Sequence, residues 1–184
     1  MKHLFLFAGL VGFLPPAQAQ TPDRPTGPVV SVGVYGVSAN VGAQVEQRIG
    51  HHFSLSVLGA RYFSADYPGY QAALAARYYF RPKAPLGFYL QAQAGAFRTK
   101  EQVISDYPGH YSQSGSQTNG HGGGLGLGYQ WRVGQRLVAN FGFGLKFYPH
   151  HLGEKCDCSY VGDWYALGQP GSLLDGQLSI GYAF

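Results

Sequence analysis

The stretch "HHLGEKCDC" gathers His150, His151, Cys156 and Cys158 within nine residues. Imidazoles and thiolates are the side chains that zinc and copper prefer. The spacing matches no standard zinc motif, and Cys-x-Cys is too tight for an unstrained disulfide. These four are therefore the metal candidates of the chain, but no metal is assigned and no cofactor is expected. In an oxidising compartment the two thiols could instead form a strained bond or pair between molecules. His121 lies near several serines in "SDYPGHYSQSGSQTNGHG", the residue types of a nucleophile and its base. None stands at a spacing that would couple them, so no catalytic residue is named and no enzyme is expected. The glycines of "GHGGGLGLG" open a strand and not a helix, which removes the phosphate-loop reading. Gly122, Gly124, Gly126 and Gly128 share one parity and leave room for bulky neighbours instead.

Whatever these residues do, strands must position them. The terminal "LLDGQLSIGYAF" alternates Leu174, Leu178, Ile180, Tyr182 and Phe184 against Asp175, Gln177 and Ser179. Period two is the mark of a strand with one apolar face. The same alternation recurs in "VVSVGVYG", "VSANVGAQVEQRI", "FSLSVLGARYF", "YQAALAARYYF", "GFYLQAQAGAFR", "GGLGLGYQWRV" and "LVANFGFGLKFY". Short turns are expected near 49–52, 81–86 and 134–136, and long loops near 64–69, 99–121 and 149–172. Region 28–48 reads as two strands joined by a tight turn around 35–38, with Gly36 its only strong turn residue. The total is eight.

The composition is unusual for a water-soluble domain. Charged residues make up 12% and aromatic residues 15% of 184, with 28 glycines. Typical globular chains carry about 25% charged residues. Mean hydropathy is nevertheless only −0.11, because polar and apolar residues alternate along each strand. A net charge of +4 without any basic run gives no reason to expect nucleic acid. "MKHLFLFAGLVGFLPPAQAQ" has the basic start, short apolar run and Ala17-Gln18-Ala19 of a secretory leader, cleaved after Ala19. The expected organisation is a leader at 1–19, a Pro-rich lead at 20–27 and one domain at 28–184.

Which way the faces point decides the class. One face carries Leu74, Ala76, Tyr78 and Phe80, then Phe88 and Leu90, Leu125 to Trp131 at alternate positions, and Leu137 to Leu145 likewise. The other carries Gln71, Arg77, Gln91, Gln93, Gln130, Asn140, Lys146, Asp175 and Gln177. A soluble barrel of the lipocalin type would turn the apolar face inward. Yet Tyr78, Phe80, Phe88, Tyr129, Trp131, Tyr182 and Phe184 all stand at the short-turn ends of their strands. Such a level collection suits a membrane interface. The fold class expected is therefore all-β, an eight-stranded antiparallel up-and-down transmembrane β-barrel. Glu46, Arg77, Lys146 and Asp175 would form a polar network in its lumen, with Glu46 paired to Arg77. Eight strands enclose a space just wide enough for side chains to fill, so no through-pore is expected. Arg61 and Arg98 have outward parity but lie near the long-loop ends, where a cation on the lipid face costs little.

The ending "LSIGYAF", with Tyr182 and Phe184, resembles the terminal insertion signal of bacterial outer-membrane barrels. "VGAQVEQRIGHHFSL", "YQAALAARYYF" and "GFYLQAQAG" likewise resemble small barrels of the OmpA/OmpX/OmpW shape. The resemblance implies a bacterial outer-membrane location, surrounding lipid, and recognition of the last strand by the barrel-assembly machinery. It implies no particular activity. The expected role is structural or surface-interacting, as a monomer, with the loops at 99–121 and 149–172 as places for an extracellular ligand. The rival readings are an outer-membrane lipid-modifying enzyme using His121 or a rim serine, a soluble lipocalin-like ligand binder, and a narrow conductance. The repeated "DYPG" at 66–69 and 106–109 reads as a reused turn.

Overall fold

The computed structural model describes residues 27–37, 40–63, 68–82, 84–104, 113–149, 165, 167, 169 and 171–184. Eight strands alternate direction along the chain: β1 Val29–Tyr35, β2 Asn40–Arg48, β3 Phe53–Tyr62, β4 Gly69–Tyr79, β5 Gly87–Ile104, β6 Gln113–Val133, β7 Leu137–Phe147 and β8 Leu174–Ala183. Each pairs antiparallel with its sequence neighbours, and β1 pairs with β8 to close the barrel. The closing seam runs from Val29↔Ala183 to Tyr35↔Gln177. Closure satisfies every strand edge within the wall, which a lone alternating strand cannot do. Phe184 continues the seam, its N–H donating to the Pro28 carbonyl at 3.2 Å.

The turns follow local chemistry. Gly36 and Gly134 take positive φ, 104° and 74°, conformations open to glycine at little cost. Region 28–48 is thus two strands, as the alternation predicts. One expectation fails. The loop placed at 99–121 is mostly paired: β5 runs to Ile104, β6 starts at Gln113, and the two stay in register from Thr99↔Thr118 to Ile104↔Gln113. Beyond the apolar band a ribbon needs no apolar face, so the period-two signal that marks the other strands is missing there.

The packing is inverted relative to a soluble protein. Large apolar side chains such as Val32, Leu74, Phe88, Leu125, Phe143 and Ile180 are exposed on the outer wall. Gln44, Glu46, Ser56, Arg77, Gln130 and Lys146 are buried in the interior. An apolar cluster sits toward each end of the interior: Tyr62, Phe97 and Tyr148 at the long-loop end, and Val29, Val138 and Ala183 with Leu86 at the short-turn end.

Candidate functional site

The interior is organised around Arg77, which enters from β4 and is 1% exposed. Its Nη1 lies 2.7 Å from Glu46 Oε2 on β2. Nε donates to Gln91 at 2.8 Å, and Nη2 donates to Gln177 at 3.1 Å. Gln130 and Gln44 accept longer bonds of 3.3 Å. The guanidinium also lies over the Tyr89 ring, 4.6 Å from its centroid. Glu46 in turn accepts from Ser54 and, at 2.7 Å, from the Tyr79 hydroxyl. A charge this dry is tolerated only when paired and saturated with hydrogen bonds. The partners of Arg77 itself come from four strands besides β4, namely β2, β5, β6 and β8.

A relay leads from this centre toward the long-loop end. Gln91 donates to Gln93 at 3.1 Å, and Gln93 donates to Asp175 at 2.6 Å. Lys146 Nζ stands 3.6 Å from the other Asp175 oxygen and 5.7 Å from the Tyr148 ring. The four charged residues named from the sequence, Glu46, Arg77, Lys146 and Asp175, are thus linked through two glutamines that it did not single out. A narrow gap lies beside the relay, lined by Gln44, Gln71, Gln91, Gln93 and Asp175.

Space for this network comes from glycines on β6 and β7. A Cβ at Gly128 would land on the Tyr89 phenol, and one at Gly142 would come within 2.8 Å of its hydroxyl oxygen. That oxygen donates to Asn140 at 2.7 Å. The inward tyrosines, Tyr35, Tyr62, Tyr79, Tyr89 and Tyr148, are missed by sequence reasoning that follows only outward aromatics. Their parity, one step off the apolar face, was the available signal.

On the outer wall, Tyr78, Phe80, Phe88, Tyr129, Trp131, Tyr182 and Phe184 are exposed near the short-turn ends. They touch in sequence, with ring centroids 5.9 Å apart for Tyr78–Phe80, 4.6 Å for Phe88–Tyr129 and 5.0 Å for Tyr182–Phe184. Aromatics are not confined to that level. Phe63, Tyr70 and Phe147 stand exposed at the opposite end, and Phe141 and Phe143 lie between. Arg61 and Arg98 point outward near the long-loop end, and His121 lies exposed on β6 opposite Ala96. His150, His151, Cys156 and Cys158 lie outside the described residues, as do most of 149–172 and both copies of Asp-Tyr from "DYPG".

No protein-family model and no curated protein matches the chain. Among solved structures, it is similar to the N-terminal β-barrel domain of Pseudomonas aeruginosa OprF. The two are 19% identical with a TM-score of 0.50, over 85% of this chain and 97% of that one. At that identity the likeness speaks for the fold, and the chain shares with that domain a closed antiparallel barrel of eight strands.

Proposed function

We propose that the chain is an outer-membrane barrel whose wall faces lipid and whose part is structural or surface-interacting, with the interior sealed and not a pore. The observation that carries this is the inverted burial: an apolar wall exposed around a buried ionic network. In water, such a wall would be an apolar patch far above the few hundred Å² that soluble monomers expose. The dimensions agree. From Phe88 to Arg98 along β5 is ten residues, about 33 Å of strand, which rises about 25 Å at a tilt near 40°. That is the height of the apolar band of a membrane barrel. The two apolar end clusters and the Arg77 centre support a closed interior.

The test is gel mobility of the membrane-fraction protein with and without boiling. A folded barrel keeps its structure in the detergent and runs at a different position until heated. A heat-dependent shift in protein recovered from outer membranes is the expected result. An unshifted protein recovered in the soluble fraction overturns the reading.

A further inference from the structure

Three cations share the outward wall of β3–β5 at the long-loop end. Arg61 stands opposite Tyr70, and Tyr70 opposite Arg98, so the two guanidines flank one tyrosine across three adjacent strands. Lys100 is two residues beyond Arg98 on the same exposed face. Neighbouring strands lie about 4.8 Å apart, so the α-carbons of Arg61 and Arg98 are about 10 Å apart. Side chains of that length can converge on one group between them. Arg61 is already held toward this gap, its guanidinium 5.1 Å from the Phe63 ring centroid and 5.8 Å from that of Tyr70. Among the described residues, neither ion pair involves any of these three cations. Both of those pairs lie in the interior.

We propose that Arg61, Arg98 and Lys100 bind the phosphate of an anionic lipid headgroup at the outer rim of the barrel. The inference rests on the outer-membrane reading, because it places these cations at the membrane interface. Charge complementarity selects the occupant: guanidinium forks match phosphate oxygens and give charge-assisted, often bidentate bonds. Position selects its source. The row stands about 25 Å above the Phe88 level, where headgroups of the far leaflet lie. Beneath it, Ala72 and Ala96 are exposed on the same wall, so an acyl chain can descend along the strands. A single snorkelling arginine would serve solvation alone; two in register beside one ring, with a lysine above, form a convergent set.

The experiment uses the refolded barrel in detergent micelles and native mass spectrometry, with dioleoyl phosphatidic acid as the probe. Dioleoylglycerol, which lacks the phosphate, and inorganic phosphate serve as separate arms. The expected result is retained phosphatidic acid, with binding weakened about tenfold for each arginine lost, hence about a hundredfold in R61Q/R98Q. Arg81→Gln, at the other end of the barrel, leaves retention unchanged, and K100Q weakens it by a smaller factor. The heat shift on gels reports folding of every variant separately, so a failed membrane reading shows as lost shift and insertion. Equal retention by R61Q/R98Q, equal retention of dioleoylglycerol, capture of inorganic phosphate alone, or a protein dimer that the double variant abolishes would each overturn the proposal.

Discussion

Replacing Glu46 with Gln is expected to destabilise the barrel by about 3–5 kcal/mol, the cost of stranding one member of a buried ion pair. The substitution keeps the side-chain length and an acceptor oxygen for Ser54 and Tyr79, but removes the charge and replaces the oxygen that faces Arg77 by an amide donor. Arg77 would then hold its cation at 1% exposure among amides and the Tyr89 ring. At a charge separation near 4 Å and an effective dielectric of about 20, the lost attraction is roughly 4 kcal/mol. Bonds from Arg77 to Gln91, Gln130, Gln44 and Gln177 survive and keep the loss from growing. The assay is urea unfolding of barrel refolded into vesicles, followed by tryptophan fluorescence and by gel mobility. With a slope near 2 kcal/mol per M, the midpoint should fall by about 2 M. The companion variant, E46Q/R77M, has no cation left to strand. Its loss should be smaller than the sum of the single losses by about 2 kcal/mol. A midpoint shift below about 0.5 M in E46Q, or single losses that simply add, would refute the dry ion pair.

Two further substitutions probe the wall and the packing. Leu74→Arg puts a cation on the outer face midway along β4, where Leu74 is 63% exposed; facing lipid, it should cost about 2–4 kcal/mol in vesicles. A wall that faced water would tolerate the same arginine, and an unchanged urea midpoint would show it. Gly128→Val drives a side chain into the Tyr89 ring, and overpacking of this kind costs about 1–3 kcal/mol. Tyr89→Leu in the same chain should recover part of that loss; no recovery would mean that the glycine serves the backbone and not the ring.

The wall was readable from the sequence because its signal is local. Alternation places Leu74 and Tyr78 on one side and Gln71 and Arg77 on the other without reference to any other strand. Ten-residue segments and short turns then set the number of strands. The interior required more. Arg77 and Gln177 are 100 residues apart yet hydrogen-bonded, a meeting fixed by how strands tilt and stagger around the closed barrel. Glu46 and Arg77 could be matched as the opposite charges of inward parity on β2 and β4. No comparable pairing of unlike charges points from Gln91 through Gln93 to Asp175, because amides carry no sign. The β5–β6 ribbon past Thr99 was missed for the complementary reason: outside the apolar band, a strand can be polar on both faces. The same physics thus accounts for both outcomes. Where lipid or a closed interior constrains the two faces differently, the chain must alternate, and its alternation can be read. Where neither does, pairing survives on backbone hydrogen bonds alone and leaves little mark on composition. The cations Arg61, Arg98 and Lys100 are the exception that alternation does expose: charges standing on the apolar parity, at the long-loop end, where the outer-membrane reading gives them their smallest cost.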